Sequence, residues 1–191
     1  DLSEMSLEEL MQIPVYAASR FKQDVRDAPS WVTIITGDEL RAYGHRTLGA
    51  ALSSVPGLYV SYDRSYRYLG VRGFSRPGDL NTRVLVLING RRTNDGVYDS
   101  ASMDETLLLD LDLVDRIEVV RGPSSSLYGT SAFFAVINVI TRQGSDLNGG
   151  EASVSVGSFA TYYGRLSYGG RVGKDGTFLL SGTYGTSEGQ S

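Results

Sequence analysis

The sequence predicts a small α+β domain followed by antiparallel β-strands, and three observations support this fold class. Short β-branched runs alternate with two or three short helix-like segments up to residue 149, which is typical of a mixed sheet with few helices. After Gly149-Gly150 the pattern becomes an alternation of apolar and polar residues, as in half-buried strands. The 191 residues include 23 glycines but only 5 prolines, which indicates many turns and close strand contacts.

Composition and charge exclude several classes of function. The net charge of -4 offers little support for a nucleic-acid partner, and the absence of cysteine excludes disulfides and thiolate metal sites. His45 is the only histidine, which rules out a histidine-based triad and a three-histidine zinc site. We therefore predict no enzyme activity, no catalytic residue, no metal and no cofactor. No apolar run reaches the roughly 20 residues that a membrane helix needs.

Residues 1–27 are predicted to form a leading segment ahead of the domain. Ser6 and Glu9 have the spacing of a capping box, so one or two helical turns are expected there. Pro14 stops this helix. The stretch from Ile13 to Ala17 is expected to be extended, because proline fixes its own φ and restricts its predecessor.

The domain predicted for residues 28–149 begins with a strand and two capped helices. The strand is Trp31–Ile35, an apolar and largely β-branched run. Thr36 follows with a glutamate three residues later, which predicts a helix over Asp38–Gly44. A second helix is predicted over Thr47–Val55, with its threonine as the cap and a Pro-Gly pair after its end.

Further strands are predicted over Tyr68–Arg72 and Arg83–Ile88. The second of these is the best strand signal in the chain and is predicted to be a central strand, and Asn89-Gly90 after it is a strong turn signal. Leu107–Asp115 is predicted to be a short amphipathic or irregular helix, which leads into a strand over residues 116–120.

The most informative segment runs from Val114 to Gly129 and has the sequence VDRIEVVRGPSSSLYG. Its strand ends abruptly at Gly122-Pro123, a serine-rich turn follows, and a second apolar run, AVINVIT, begins at Ala135. This order closely resembles the plug domain of TonB-dependent outer-membrane receptors, which take up scarce nutrients across the Gram-negative outer membrane. Further motifs match in the same order, namely DAP from Asp27, WVTII from Trp31, TLGAAL from Thr47, VPG from Val55, VRGF from Val71 and VLVLING from Val84. Family plugs usually carry glycine at the position of Ala135, and alanine fits there only if the backbone keeps a negative φ.

The resemblance implies a plug inside the lumen of a β-barrel in the outer membrane of a Gram-negative bacterium. Such a plug binds a nutrient ligand, for example a ferric siderophore, haem or cobalamin, and engages TonB in the periplasm. The candidate TonB box is Ile13, Pro14, Val15, Tyr16 and Ala17. It would pair with a strand of TonB through main-chain hydrogen bonds, and an ordinary linker is the alternative interpretation.

The resemblance also assigns two kinds of site residue. Arg72 and Arg121 each end a strand before a glycine, and in the family such arginines form a lock with glutamates of the barrel wall. Without the barrel they are expected to be exposed or to pair otherwise, for example with Glu118. The expected ligand-facing residues are Tyr62, Arg64, Tyr66, Arg67, Tyr68, Arg76 and Tyr98. Packing against the barrel wall is the alternative role for these tyrosines.

Residues 150–191 are predicted to be the first strands of a truncated outer-membrane barrel. Segments 152–156, 162–168 and 178–184 show the dyad alternation of such strands. Roughly 40 residues allow about three spanning strands of about 9–11 residues each, whereas a barrel that holds a plug needs about 22 strands. Disorder after Gly150, or pairing between copies in a strand-swapped oligomer, is expected because the strand edges lack their neighbours.

The alternative to a receptor fragment is a free-standing soluble periplasmic ligand-binding module. In that case residues 150–191 would complete the sheet of the domain itself. A reading frame that continues with dyad alternation for hundreds of residues would favour the receptor.

Overall fold

The computed structural model describes residues 14–15, 23–24, 31–75, 78–104, 106–107, 109–173 and 176–189. The strands are β1 (Pro14–Val15), β2 (Gln23–Asp24), β3 (Trp31–Thr36), β4 (Leu58–Tyr62), β5 (Arg67–Val71), β6 (Val84–Ile88), β7 (Arg91–Arg92), β8 (Val114–Arg121), β9 (Ala135–Thr141), β10 (Gly149–Gly157), β11 (Thr161–Val172) and β12 (Gly176–Thr186). The helices are α1 (Gly37–Ala42), α2 (Leu48–Leu52), α3 (Ser125–Tyr128) and α4 (Gly144–Leu147), and a 3-10 turn spans Leu111–Leu113. The chain divides between Thr141 and Arg142 into two compact units. Within the described ranges, no helix is long and apolar enough to cross a membrane.

A five-stranded mixed sheet forms the centre of the first unit, with the strand order β3-β8-β9-β6-β7. Neighbouring strands are antiparallel except for β6 and β9, which run parallel with Val84 opposite Ala135. β4 and β5 form a separate antiparallel hairpin. The α+β class predicted from the sequence, with short helices between the strands, is confirmed.

Both faces of the sheet are buried, which explains why β6 and β9 are nearly continuous apolar runs. On one face the helices α1 and α2 insert Leu40, Leu48 and Leu52 into the larger cluster of buried side chains. On the other face lies a smaller cluster, which consists of Leu85, Leu87, Val120, Tyr128, Ala132 and Val136. The β-sheet therefore positions the loops at its edges on a packed, two-sided core.

The local signals in the sequence placed the first elements to within a few residues. The capping box at Thr36 is present, because the Thr36 hydroxyl accepts the Glu39 N–H and the Glu39 carboxylate accepts the Thr36 N–H. The helix predicted over Thr47–Val55 is shorter, Leu48–Leu52, with Thr47 as its cap. The expected helical turns at Ser6 lie outside the described residues.

One further prediction about the first unit is wrong and another is confirmed. The helix predicted over Leu107–Asp115 is reduced to the 3-10 turn Leu111–Leu113, because the Asp110 carboxylate accepts the Asp112 N–H and β8 begins at Val114. The strand after Arg83, β6, is a central strand as predicted, because it pairs with β9 on one side and with β7 on the other, and β9 occupies the middle of the sheet. A continuous apolar run indicates burial on both faces, and periodicity alone cannot rank two such runs within one sheet.

Ala135, where the family usually has glycine, begins β9 with a negative φ and is fully buried. It lies opposite Val84 on one side and Arg121 on the other. The alanine is therefore accommodated in ordinary extended backbone. The turn predicted at Asn89-Gly90 is also present, with φ values of 50° and 77° that suit a tight hairpin.

The second unit is a three-stranded antiparallel meander of β10, β11 and β12. Its strands pair along their length, with Gly149 opposite Gly169 and Tyr162 opposite Thr186 at the two ends. Disorder after Gly150 is therefore not what the structure shows, because each of these strands finds a partner within the chain. Strand exchange between copies stays a prediction.

Helix α4 lies directly on the meander. A Cβ atom placed on Gly144 would overlap the carbonyl group of Phe178, and one placed on Gly169 would lie 2.9 Å from the Gly144 oxygen. Arg142, just before α4, pairs with Glu151 of β10 at 3.2 Å. The segment that leads into β10 is thus fastened to the sheet by a glycine contact and by an ion pair.

Candidate functional site

The hairpin tip between β4 and β5 is organised by Asp63, which the sequence analysis missed. Its Oδ1 atom accepts the backbone N–H groups of Ser65 at 2.9 Å and Tyr66 at 2.7 Å. Its Oδ2 atom accepts the Tyr68 hydroxyl at 2.8 Å. An aspartate followed by short polar residues between two strand-like runs is the sequence signal that identifies such a turn.

Asp63 and Tyr68 shift each other's pKa in opposite directions. The N–H groups of Tyr66 and Ser65 and the Tyr68 hydroxyl lower the pKa of Asp63 below its usual 3.8. The hydrogen bond to Asp63 raises the pKa of Tyr68 above its usual 10.0. The pair therefore stabilises the hairpin tip while Asp63 is charged and Tyr68 is neutral. This stabilisation is lost as the pH falls through the folded-state pKa of Asp63 or rises through that of Tyr68.

Asp63→Ala is expected to lower the pKa of Tyr68 toward its usual value, because the phenol loses the carboxylate that accepts its proton. The measurement is an NMR titration of the Tyr68 ring in the 191-residue chain. Asp95→Ala is the matched control, since Asp95 accepts the N–H groups of Val97 and Tyr98 in the same kind of turn. An unchanged Tyr68 titration in Asp63→Ala would contradict the assigned bond.

Asn81 joins the hairpin to the loop before residue 104. Its Oδ1 atom accepts the Leu69 N–H at 2.8 Å, and its Nδ2 atom donates to the carbonyl oxygens of Arg67 at 2.8 Å and Ala101 at 3.0 Å. Asn81 and the preceding Leu80 both have positive φ, 59° and 49°, which these bonds hold in place. The hairpin and the loop therefore form one connected surface.

An open cavity of about 160 Å³ lies between the hairpin and this loop. The polar residues in its lining are Ser65, Tyr66, Arg67, Asn81, Ser100, Ser102, Asp104 and Thr106. The Arg67 guanidinium lies 4.7 Å from the centre of the Tyr62 ring, which orients the cation at the cavity edge. Tyr66 and Arg67 are thus the two predicted ligand-facing residues that the structure brings together around a cavity.

The other predicted ligand-facing residues are placed differently. Tyr68 is only 6% exposed and its hydroxyl engages Asp63, so it supports the hairpin from within. Arg64 lies exposed at the hairpin tip with a φ of 76°. Tyr98 is 73% exposed on a different loop and does not line the cavity. Arg76 lies outside the described residues.

The two arginines of the expected lock meet at one end of the sheet. Arg72 is exposed, has a φ of 53°, and donates from Nη2 to the Arg121 carbonyl oxygen at 3.4 Å. Arg121 donates from Nη1 to the Pro56 carbonyl oxygen and from Nη2 to the Thr33 hydroxyl at 3.1 Å. Its guanidinium also lies 5.9 Å from the centre of the Trp31 ring. Both arginines are therefore engaged by neighbouring residues of the first unit.

The expected pairing of these arginines with Glu118 is wrong. Glu118 is fully buried on β8 and accepts from the Nε and Nη2 atoms of Arg116 at 3.2 and 3.1 Å. Arg116 lies two residues before it, on the same face of the strand, and so reaches it more easily than Arg72 or Arg121 does. Asn138 of β9 donates to Glu118 at 3.4 Å and accepts the Gly90 N–H at 3.0 Å.

The candidate TonB box is described only in part. Pro14 and Val15 form β1 and pair antiparallel with Asp24 and Gln23 of β2. Ile13, Tyr16 and Ala17 lie outside the described residues. The extended backbone at Pro14–Val15 agrees with the conformation expected of this segment.

Comparison with known sequences identifies the first unit. The model of the TonB-dependent Receptor Plug Domain matches residues 24–136. An iron-regulated outer membrane virulence protein of Vibrio cholerae is 32% identical over 133 residues, covering 68% of this chain and 20% of the relative. The vitamin B12 transporter BtuB of Vibrio vulnificus is 29% identical over 178 residues, covering 92% of this chain and 28% of the relative. The chain thus spans about a fifth to a quarter of the length of these relatives.

Solved structures show the same fold. The pyoverdine outer membrane receptor FpvA from Pseudomonas aeruginosa superimposes with a TM-score of 0.72 at 22% identity, over 93% of this chain and 25% of the receptor. The ferric-catecholate import receptor Fiu from E. coli gives a TM-score of 0.67 at 25% identity, over 93% of this chain and 24% of the receptor. Together with the match over residues 24–136, these likenesses mean that the chain belongs to the plug domain family of TonB-dependent receptors.

Proposed function

We propose that the chain is the plug and the first barrel strands of an outer-membrane transporter that takes up a scarce nutrient, such as a ferric siderophore, haem or cobalamin. The match to the plug family carries this proposal. It is supported by the meander of β10, β11 and β12 that follows the plug, because one face of this sheet is apolar and the other is polar. The relatives include a transporter and a receptor, which supports gating as the work of the chain. The first unit, which ends at Thr141, is the gate, and the meander of the second unit contributes the first strands of the barrel.

The apolar face of the meander supports its role as membrane strands. Val154, Leu166 and Leu180 are 83%, 71% and 67% exposed on this face, which is unusual for a protein surrounded by water.

Aromatic residues flank these aliphatic residues along the strands, with Tyr162 and Tyr184 toward one end. Tyr168 and Phe178, whose rings are 5.9 Å apart, lie toward the other end. Tyr162 and Tyr168 are separated by roughly 20 Å at about 3.3 Å per residue. Such a band between aromatic rows suits a lipid bilayer.

The opposite face of the meander is polar and suits the inside of a barrel. Arg165 is 6% exposed, pairs with Glu151 and donates to Ser167 at 3.3 Å. Ser167 in turn bonds to Ser181 at 2.8 Å. The alternative of a soluble module needs residues 150–191 to complete the plug sheet, but these strands form a sheet of their own. This arrangement favours the transporter.

Within the plug, the cavity beside Tyr66 and Arg67 is the proposed nutrient-facing surface. Its hydroxyl groups and the Arg67 cation suit a polar or anionic chelate, and Tyr66 adds a large amphipathic contact area. Arg72 and Arg121 form the plug half of the lock to the barrel wall. The segment from Ile13 to Ala17 binds TonB, which draws on the inner-membrane proton gradient.

Uptake measurements test this function. The full receptor is expressed in a Gram-negative strain without its own receptors, and one nutrient class is supplied at a time as ferric siderophore, haem or cobalamin. One class should restore growth at limiting supply, and only in cells that contain TonB. The Arg67→Gln variant should weaken binding of that nutrient, whereas Arg83→Gln, at a residue that does not line this cavity, should not. Growth that does not depend on TonB would contradict the proposal.

A further inference from the structure

The Arg121 side chain connects three separate parts of the plug. Its Nη2 atom donates to the Thr33 hydroxyl of β3 at 3.1 Å, and its Nη1 atom donates to the carbonyl oxygen of Pro56, between α2 and β4. Its own carbonyl oxygen accepts from Arg72 at 3.4 Å. The position of both lock arginines is therefore linked to β3.

β3 is the edge strand of the sheet and the first of its five strands along the chain. It pairs with β8 from Trp31 opposite Arg121 to Thr36 opposite Arg116. An edge strand can leave a sheet without breaking the pairing of any other two strands, which makes local opening at β3 less costly than opening in the middle of the sheet. A pull on the leading segment therefore reaches β3 before the other strands of the sheet.

We infer that Thr33 is the positioning residue for Arg121, and that β3 holds the lock arginines in place. This inference rests on the proposed function, in which the leading segment is pulled and the two arginines bind the barrel wall. A guanidinium is planar, so acceptors on two different nitrogens fix both its place and its plane. When β3 leaves the sheet, Thr33 and Trp31 leave with it. Of the described side-chain contacts of Arg121 named above, the one to Pro56 then remains, and the lock loosens as a result of the pull.

The chain carries its own reporter for this arrangement. Trp31 is the only tryptophan of the 191 residues, and the Arg121 guanidinium lies 5.9 Å from its ring. A cation over an indole ring changes its fluorescence, so the emission of Trp31 reports whether Arg121 is in place. Trp31 is 75% exposed, so the ring lies between solvent on one side and the Arg121 cation near its face.

The first test measures Trp31 emission in the 191-residue chain. Arg121→Gln should change the emission, Thr33→Val should reproduce most of that change, and Thr33→Ser should restore the wild-type spectrum because it keeps the hydroxyl. Valine has nearly the shape of threonine and a high β-strand propensity, so the sheet should persist, which circular dichroism checks. The matched control is Arg83→Gln, whose guanidinium lies over Phe134 and not over Trp31. A Thr33→Val spectrum identical to wild type, beside a changed Arg121→Gln spectrum, would overturn the inference.

The second test measures vancomycin leakage through the full receptor. Arg72→Gln and Arg121→Gln should raise leakage, and Thr33→Val should raise it in the same direction while Thr33→Ser does not. The double variant Thr33→Val/Arg121→Gln should leak no more than Arg121→Gln, because Thr33 acts through Arg121. If neither arginine variant raises vancomycin leakage, the lock assigned under the proposed function is refuted. The Trp31 spectra then still decide whether Thr33 positions Arg121. If the arginine variants leak and Thr33→Val does not, the inference fails while the lock stands.

Discussion

Deleting Ile13 to Ala17 from the full receptor is expected to abolish energised uptake while leaving nutrient binding intact. TonB recognition by strand addition uses an extended segment, and Pro14–Val15 has strand-like backbone, here paired with β2. The proposed nutrient-facing cavity lies in another part of the plug, between the β4–β5 hairpin and residues 100–106. The two activities should therefore separate. Radiolabelled nutrient measures binding to de-energised cells and accumulation in energised ones.

A deletion of residues 18–22, which has the same length, is the control for this experiment. It shortens the leading segment equally but keeps the candidate box. Uptake should then persist, because the box still precedes the plug. Full accumulation in the Ile13 to Ala17 deletion would show that TonB engages a different segment.

Arg116→Ala is expected to destabilise the plug by about 3–5 kcal/mol, which is the usual result of removing one partner of a buried ion pair. Glu118 is fully buried, and Arg116 supplies two of its hydrogen bonds. Without the Arg116 side chain, the buried Glu118 carboxylate loses its paired positive charge and two hydrogen bonds. Against a total stability of about 5–15 kcal/mol for a typical domain, this is a large fraction. Urea unfolding of the 191-residue chain measures the change.

Arg46→Ala is the matched control for Arg116→Ala. Arg46 pairs with Asp112 at 3.1 Å, but its side chain is 42% exposed, so the loss should stay within about 1 kcal/mol. Glu118→Gln added to Arg116→Ala should recover part of the stability, because the buried charge is gone. Equal losses for the two arginine variants would refute the special role of the buried pair.

The sequence predicted several elements whose contacts are between near neighbours in the chain. The capping box at Thr36 and Glu39 defined α1, since its partners are three residues apart. The Arg116–Glu118 pair is local as well, because residues two apart share a face of a strand, but the sequence analysis assigned Glu118 to Arg72 or Arg121 instead. Family motifs located the plug, and the match over residues 24–136 bears this out.

The remaining features depend on partners that are distant in the chain. Asn81 bonds to Leu69 and Ala101, which lie 12 and 20 residues away, so no local pattern indicates its role. The contact between Arg121 and Thr33 spans 88 residues. The central place of β9 follows from its parallel pairing with β6, which composition does not encode. A cavity beside Tyr66 likewise forms only when the hairpin and a later loop meet.

The contact of Gly144 with β12 has a practical consequence for receptor engineering. Residues 142–148 are built onto the meander, because Gly144 lies against Phe178 and Arg142 pairs with Glu151. A chimera that exchanges one plug for another must therefore be joined between Thr141 and Arg142, so that this segment stays with the barrel it fits. If the junction were placed at Gly149-Gly150, where the sequence pattern changes, residues 142–148 would come from the other plug. That segment would then have to pack on β12 at Phe178, where only glycine fits at the position of Gly144.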